Sequence, residues 1–183
     1  MTILGDVVKI NLFFIGLPAS GKSYFGEKLS LLIHYEYIDT DYELKESFNS
    51  NNDSNLSISE IYKKIGEYKF RNLEREVLSE IIKLDNKVVS TGGGIIESKK
   101  NIDLIKKRGY IIYLKTPIDV IDTRIRMMKP RELFKNGIKN TLIQLSEKRE
   151  KIYEEVSDSI VLTENRLDED ILFELLKIVE QFG

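Results

Sequence analysis

One octapeptide limits the folds open to this chain more than any other stretch: Gly16-Leu17-Pro18-Ala19-Ser20-Gly21-Lys22-Ser23. It follows an apolar run, Ile10 to Ile15, and precedes a helical pattern with Phe25, Leu29, Leu32 and Ile33 on one side. Strand, glycine-bearing loop, helix is the setting of a phosphate-binding loop. The glycines let successive backbone N–H groups converge on an anion, and the positive end of the helix dipole lies beneath the same point. Lys22 would then reach the outer phosphates and the Ser23 hydroxyl would bind Mg²⁺. The plainer alternative is a strand-to-helix turn carrying a surface lysine.

The rest of the chain alternates strand-like and helical runs, which favours a parallel sheet covered by helices. The strands expected are Ile10–Ile15, Tyr35–Ile38, Lys87–Thr91, Tyr110–Leu114 and Ser159–Leu162. A right-handed crossover brings the second strand back parallel to the first, so Asp39 and Asp41 emerge at the same carboxyl edge as the phosphate loop. Read as extended chain, the two carboxylates share one face. One can hold Mg²⁺ or its waters, and the other can accept a proton from an attacking alcohol; by themselves they also fit a polar turn.

The stretch Phe48 to Asn55, rich in Asn and Ser, reads as an exposed loop. A helix with Ile58, Ile61 and Ile65 follows, and Gly66 separates or bends it from a longer one with Phe70, Leu73, Val77 and Ile81 on one face. Further helices are expected at about 99–107, from Pro117 to about Met128, at about 140–156 and at about 168–182. Lys129 to Lys139, with Pro130, Gly137 and little periodicity, reads as a mobile flap.

Three features point to a ligand beside the phosphate loop. Gly92-Gly93-Gly94 ends a strand at the functional edge, either as a flexible turn or because a ligand approaches too closely for any Cβ. Arg149 takes an apolar position in the stripe Leu142, Leu145, Ile152, Val156, so its guanidinium needs an anion, an internal glutamate or a carboxylate ligand. Arg71, between Glu67 and Glu74 at helical spacing, is expected in a surface ion pair.

Composition removes other chemistries. There is no cysteine among the 183 residues, and His34 is the only histidine. Thiolate catalysis, disulfides and a histidine-rich zinc site are therefore excluded, and a structural role is the reading for His34. Twenty-eight basic against thirty acidic residues give a formal net charge of -2, which argues against a nucleic-acid surface. No run approaches a membrane span and the first fifteen residues lack a leader pattern, so a single cytoplasmic domain over 1–183 is expected, with a monomer as the default.

Taken in order, the phosphate loop, Asp39-Thr40-Asp41, Gly66-Glu67 with Phe70-Arg71, Thr91-Gly92-Gly93-Gly94, and Arg149 with Tyr153 behind it make the chain resemble shikimate kinase, of the nucleoside-monophosphate-kinase-like P-loop proteins. The resemblance runs from Ile10 to the last helix. It implies a three-layer P-loop kinase fold, a five-stranded parallel sheet flanked by helices, with substrate-binding helices at about 40–84 and a lid at about 129–139. It also implies ATP-dependent phosphorylation of the 3-hydroxyl of shikimate, in aromatic amino acid biosynthesis.

By that resemblance Lys22, Asp41 and Arg131 are catalytic. Gly16, Ala19, Ser20, Gly21, Lys22, Ser23 and Tyr24 hold ATP, with Arg131 from the lid and with Arg124 and Arg166 flanking the adenine. Asp41, Arg71, Gly92, Gly93, Gly94 and Arg149 hold shikimate; Ser23 and Asp39 serve Mg²⁺. The flap departs from the family pattern. It reads Lys129-Pro130-Arg131-Glu132-Leu133-Phe134, so either Arg131 or Lys129 supplies the lid cation, and Arg131 is preferred because the apolar pair then stays in register. Another small-molecule kinase of the same fold, acting on gluconate or a nucleotide, is the nearest alternative, and a non-catalytic binding domain a more distant one. No guanine-reading Asn-Lys-x-Asp segment supports a GTPase.

Overall fold

The computed structural model describes residues 10–128, 132–134 and 137–182. Five parallel strands, β1 (Asn11–Ile15), β2 (Glu36–Asp39), β3 (Lys87–Ser90), β4 (Gly109–Lys115) and β5 (Ser159–Leu162), form one sheet in the order β2-β3-β1-β4-β5. The helices are α1 (Lys22–Ile33), α2 (Thr40–Asn52), α3 (Ile58–Ile81), α4 (Lys99–Lys106), α5 (Ile118–Met127), α6 (Ile138–Val156) and α7 (Asp168–Glu180).

All five residues of β1 are buried, because helices cover both faces of the sheet. Strand alternation sends Leu12 and Phe14 into one core with Phe25 and Leu29 of α1 and Ile171 and Leu175 of α7. Phe13 and Ile15 enter the other core, against Leu78 of α3, Ile121 of α5, and Leu142 and Tyr153 of α6. Three layers result, with the carboxyl end of the central strand feeding the phosphate loop. Strands β3 and β4 flank β1 in register, Phe14 opposite Ser90 and Ile112. The loop after β3 therefore opens at the same edge.

A third, smaller core lies under the segment 40–81, where Leu44 and Phe48 of α2 pack on Ile61 and Phe70 of α3. It corrects the expectation of an exposed loop from Phe48: α2 continues to Asn52, and both Phe48 and Asn49 are buried. Burying a phenyl ring, worth about 2–3 kcal/mol, outweighs the weak helix preference of Ser and Asn. The Asn49 amide then organises the exit. It donates to the Leu56 carbonyl at 2.9 Å and accepts from the Leu56 N–H at 2.9 Å and the Ser54 hydroxyl at 2.8 Å. Helix α3 starts on a capping box between Ser57 and Glu60 and kinks at Gly66, whose φ of 75° and ψ of 166° break the helix without ending it. No atom lies within 4 Å of a Cβ built there, so the glycine answers a backbone need.

Part of the flap has local structure that its composition does not suggest. Residues Glu132–Phe134 form a 3₁₀ turn, Phe134 is buried in the α5–α6 core, and α6 begins at Ile138. An aromatic anchor replaces periodicity here, which a helical or strand pattern search does not register. Lys129, Pro130 and Arg131 lie outside the described residues, and with them the choice of lid cation. Among the described residues no helix is long and apolar enough to cross a membrane.

Candidate active site

The phosphate loop is fixed at its base before any ligand is considered. Gly21 sits at φ 104° as the N-cap of α1 and supplies no side-chain cap, so the first N–H groups of that helix face the loop's hollow. The Thr116 hydroxyl, at the end of β4, donates to the Ser20 carbonyl at 2.9 Å and fastens the loop from beneath. Lys22 is only 8% exposed and arches over the loop, donating to the carbonyls of Gly16 at 3.0 Å and Leu17 at 2.8 Å. Arg124 reaches the Ala19 carbonyl at 3.2 Å, and the Tyr24 hydroxyl bonds the Asp168 carboxylate.

Asp39 and Asp41 reach the site by a route different from the one their spacing suggested. Asp39 ends β2 and caps α2, its Oδ1 accepting from the N–H groups of Asp41 at 2.9 Å and Tyr42 at 3.2 Å. Asp41 already belongs to the first turn of α2, so the two are not alternate positions of an extended chain. They still line one cleft. The other oxygen of Asp39 accepts from the Ser23 hydroxyl at 3.1 Å, and the Ser90 hydroxyl lies 3.2 Å from the same Ser23 oxygen. Two hydroxyls and a carboxylate make a hard-oxygen set suited to Mg²⁺ with waters and phosphate oxygens completing it. Among the described residues no group of three or more His, Cys, Asp or Glu could hold a metal without such help.

The glycine run is the pivot of the site. A Cβ on Gly92 would overlap the Asp41 carboxylate, one on Gly93 would lie 3.3 Å from Nη1 of Arg149, and one on Gly94 would lie 2.8 Å from Nη1 of Arg71. Each glycine thus clears room for one of the three side chains expected to hold the substrate. None of the three needs a positive φ, and the protein's own side chains already approach closely enough to exclude a Cβ. The Thr40 hydroxyl accepts from the Gly92 N–H at 2.9 Å. Tyr153 joins the two loops: its hydroxyl lies 3.0 Å from the Gly16 carbonyl and 2.7 Å from the Gly93 carbonyl, one proton serving two acceptors. Burial raises its pKa, so it remains a donor.

The arginines carry their own counterions. Arg71 is not in a surface pair as expected. Its side chain is 20% exposed and that of Glu74 is 7% exposed, with Nη1 at 3.0 and 2.8 Å from the two carboxylate oxygens. Burial by α3 and the cleft wall is the reason, and it pushes the Glu74 carboxyl up against the pull of Arg71. Arg149 projects inward, as its place in the apolar stripe requires, and the internal glutamate it meets is Glu97. Oε1 of Glu97 accepts from Nε at 2.7 Å and lies 2.6 Å from Nη2. Burial alone would raise the Glu97 pKa, but hydrogen bonds from Lys148 and Arg149 prevail and hold it below the ordinary value of 4.5.

Phosphate loop, carboxylates, glycine run and both arginines line a single cleft of about 1190 Å³. Arg166 is not part of that lining. Its guanidinium is held by Glu174 and by the carbonyls of Leu162 at 3.0 Å and Asp170 at 2.9 Å. Sequence reasoning missed Ser90, Tyr42, Tyr62 and Glu97, because strand end, helix face and 3₁₀ turn place them with no spacing signal.

A family model for shikimate kinase matches residues 18–180. A shikimate kinase of Clostridium botulinum (strain Alaska E43 / Type E3) is 35% identical over 172 residues, covering 94% of this chain and 98% of that relative. One from Buchnera aphidicola subsp. Schizaphis graminum is 31% identical over 175 residues, with the same coverage of 94% and 98%. Among solved structures, a shikimate kinase from Acinetobacter baumannii in complex with shikimate aligns with a TM-score of 0.84 and 28% identity, over 96% of this chain and 95% of that one. That from Aquifex aeolicus aligns at 0.77 and 33% identity, over 93% and 96%. With fold and sequence matched along nearly the whole length, the chain belongs to the shikimate kinase family.

Proposed function

We propose that this protein transfers the terminal phosphoryl group of ATP to the 3-hydroxyl of shikimate, giving shikimate 3-phosphate and ADP on the route to aromatic amino acids. The observation that carries the reading is the glycine run, which seats Asp41, Arg149 and Arg71 side by side in the cleft that begins at Lys22. A compact hydroxy acid needs that set, guanidinium forks for its carboxylate and a carboxylate for its hydroxyls.

Backbone amides of Gly16, Ala19, Ser20 and Gly21 cradle the phosphates, and Lys22 leaves the loop carbonyls to meet the transferring group. Tyr24 and Arg124 border the nucleotide. Arg166 is placed with them by resemblance, and its bonds to Glu174 and two carbonyls would have to rearrange. Arg131 is assigned to the lid on the same ground. Asp41 orients the acceptor hydroxyl and takes its proton as the new O–P bond forms and the bridging oxygen leaves with ADP. Ser23 and Asp39 would hold Mg²⁺, which when bound neutralises charge on the β- and γ-phosphates. Holding both reactants in line within one cleft supplies most of the acceleration. The protein acts as a cytoplasmic monomer on this reading.

Coupled measurement of ADP release, with shikimate, gluconate or nucleoside monophosphates as acceptor, tests it. Release dependent on shikimate is the expected result. Release only with another acceptor, or with none, overturns it.

A further inference from the structure

Two guanidinium groups meet in the cleft, and the anions facing them differ in origin. Glu74 lies three residues after Arg71 on the same helix and holds it through both oxygens. Glu97 comes from the 3₁₀ turn beyond the glycine run and faces three cations: Arg149 at 2.6 and 2.7 Å, Lys148 at 2.7 Å and Arg71 at 3.7 Å. It takes the Nε and Nη2 side of Arg149, leaving Nη1 toward Gly93 and the cleft. The Glu97 side chain is 13% exposed and that of Lys148 is 60% exposed, so the carboxylate is enclosed while its third cation stands in solvent.

We propose that Glu97 is a resident counter-carboxylate that sets both how tightly the arginine pair binds an acid and how many negative charges that acid can carry. The inference rests on the reading of Arg71 and Arg149 as the carboxylate-binding pair. Beside Glu74 and the neighbouring Asp41, Glu97 offsets one further unit of the positive charge that Arg71 and Arg149 present to an incoming acid. Without Glu97 the acid site would gain one unit of positive charge, bind a monocarboxylate more strongly and accept a dicarboxylate more readily. Glu97 therefore trades affinity for selectivity. Lys148 touches Glu97 from outside and weakens its field, so its effect on the acid passes through Glu97.

The test is steady-state ADP release with shikimate for the unaltered protein, Glu97→Gln, Lys148→Met and the double variant, with a cyclohexene dicarboxylate as competing inhibitor. Glu97→Gln lowers the KM for shikimate about threefold to tenfold, the scale of one unit charge about 4 Å away with water-like screening. The change appears in KM far more than in kcat, the KM for ATP does not move, and the dicarboxylate inhibits the variant more strongly than the unaltered protein. Lys148→Met raises the KM by a smaller factor, and the rise disappears in the Glu97→Gln background. An unchanged or higher KM in Glu97→Gln, or an equal Lys148→Met effect in both backgrounds, overturns the proposal. If thermal unfolding shows Glu97→Gln unfolded, Lys148→Met decides alone: a KM that stays level or falls overturns it. If the unaltered protein releases no ADP with shikimate, the functional reading has failed separately. Calorimetric titration of cyclohexene mono- and dicarboxylates into the same variants then decides the charge claim, equal selectivity in all of them overturning it.

Discussion

The two halves of the cleft are built in opposite ways. The phosphate half is made from eight consecutive residues, held by the fully buried β1 below and α1 behind, and it offers mainly backbone N–H groups. The acid half is assembled from Asp41 on α2, Arg71 on α3, the glycine run after β3 and Arg149 on α6, resting partly on the small core of Leu44, Phe48, Ile61 and Phe70. Backbone groups are rigid and carry no net charge. The side-chain half needs Glu74 and Glu97 to hold its guanidinium groups when no acid is there. A contiguous backbone device tolerates little change in its loop and reports as loss of turnover, whereas a dispersed ionic device reports as a change in KM.

The largest break in that contrast is Lys22→Met, which leaves the thermal midpoint near its original value and lowers kcat about a hundredfold to a thousandfold or more, the scale of removing one transition-state donor. Retained turnover would remove the phosphate half from the chemistry. Arg149→Leu acts on the other half. The KM for shikimate rises about tenfold to a hundredfold, as for a lost charge-assisted hydrogen bond, while that for ATP moves little; equal shifts in the two constants would contradict the division. Gly94→Ala sharpens the point by pressing a methyl group against Arg71 without removing any charge. It raises the KM for shikimate about tenfold, a shift of about 1.4 kcal/mol, with ATP binding intact by calorimetry.

Acid titration gives the smallest effect and separates the two glutamates. Glu97 is held below 4.5 in the folded protein, so the unfolded chain takes up its proton first as pH falls; the stability Glu97 contributes is present above that value and is lost below it. Glu74 is raised by burial, so its contribution has the opposite sign and declines as pH climbs through the window above 4.5. Thermal midpoints from about pH 3 to about pH 7, a span from about one unit below the carboxylate range to well above it, should fall less steeply on acidification in Glu97→Gln and more steeply in Glu74→Gln. Parallel curves would show that neither carboxylate is specifically held.

The same contrast explains what could be read from the chain. The phosphate loop and the five parallel strands were legible because each depends on local sequence, short apolar runs for the strands and a glycine-bearing loop between β1 and the helical pattern of α1. Arg149 was legible as inward-facing from its helical stripe, but not the identity of its anion, since Glu97 lies 52 residues away on a turn without periodicity. Phe48 and Asn49 were misread because a tertiary contact overrode weak propensity. Phe134 was missed because one buried ring anchors a segment that has no pattern. Asp39 and Asp41 reach the expected edge by the parallel return of β2, but they share the cleft through a cap and a first helical turn and not as alternate residues of an extended chain.

The most direct test of the account compares shikimate with its methyl ester as acceptor at saturating ATP. The ester keeps the ring and the hydroxyls and lacks only the charge that Arg71 and Arg149 are proposed to receive. The account predicts a kcat/KM for the ester lower by about tenfold to a hundredfold, the loss carried by KM. Equal turnover of acid and ester would contradict it.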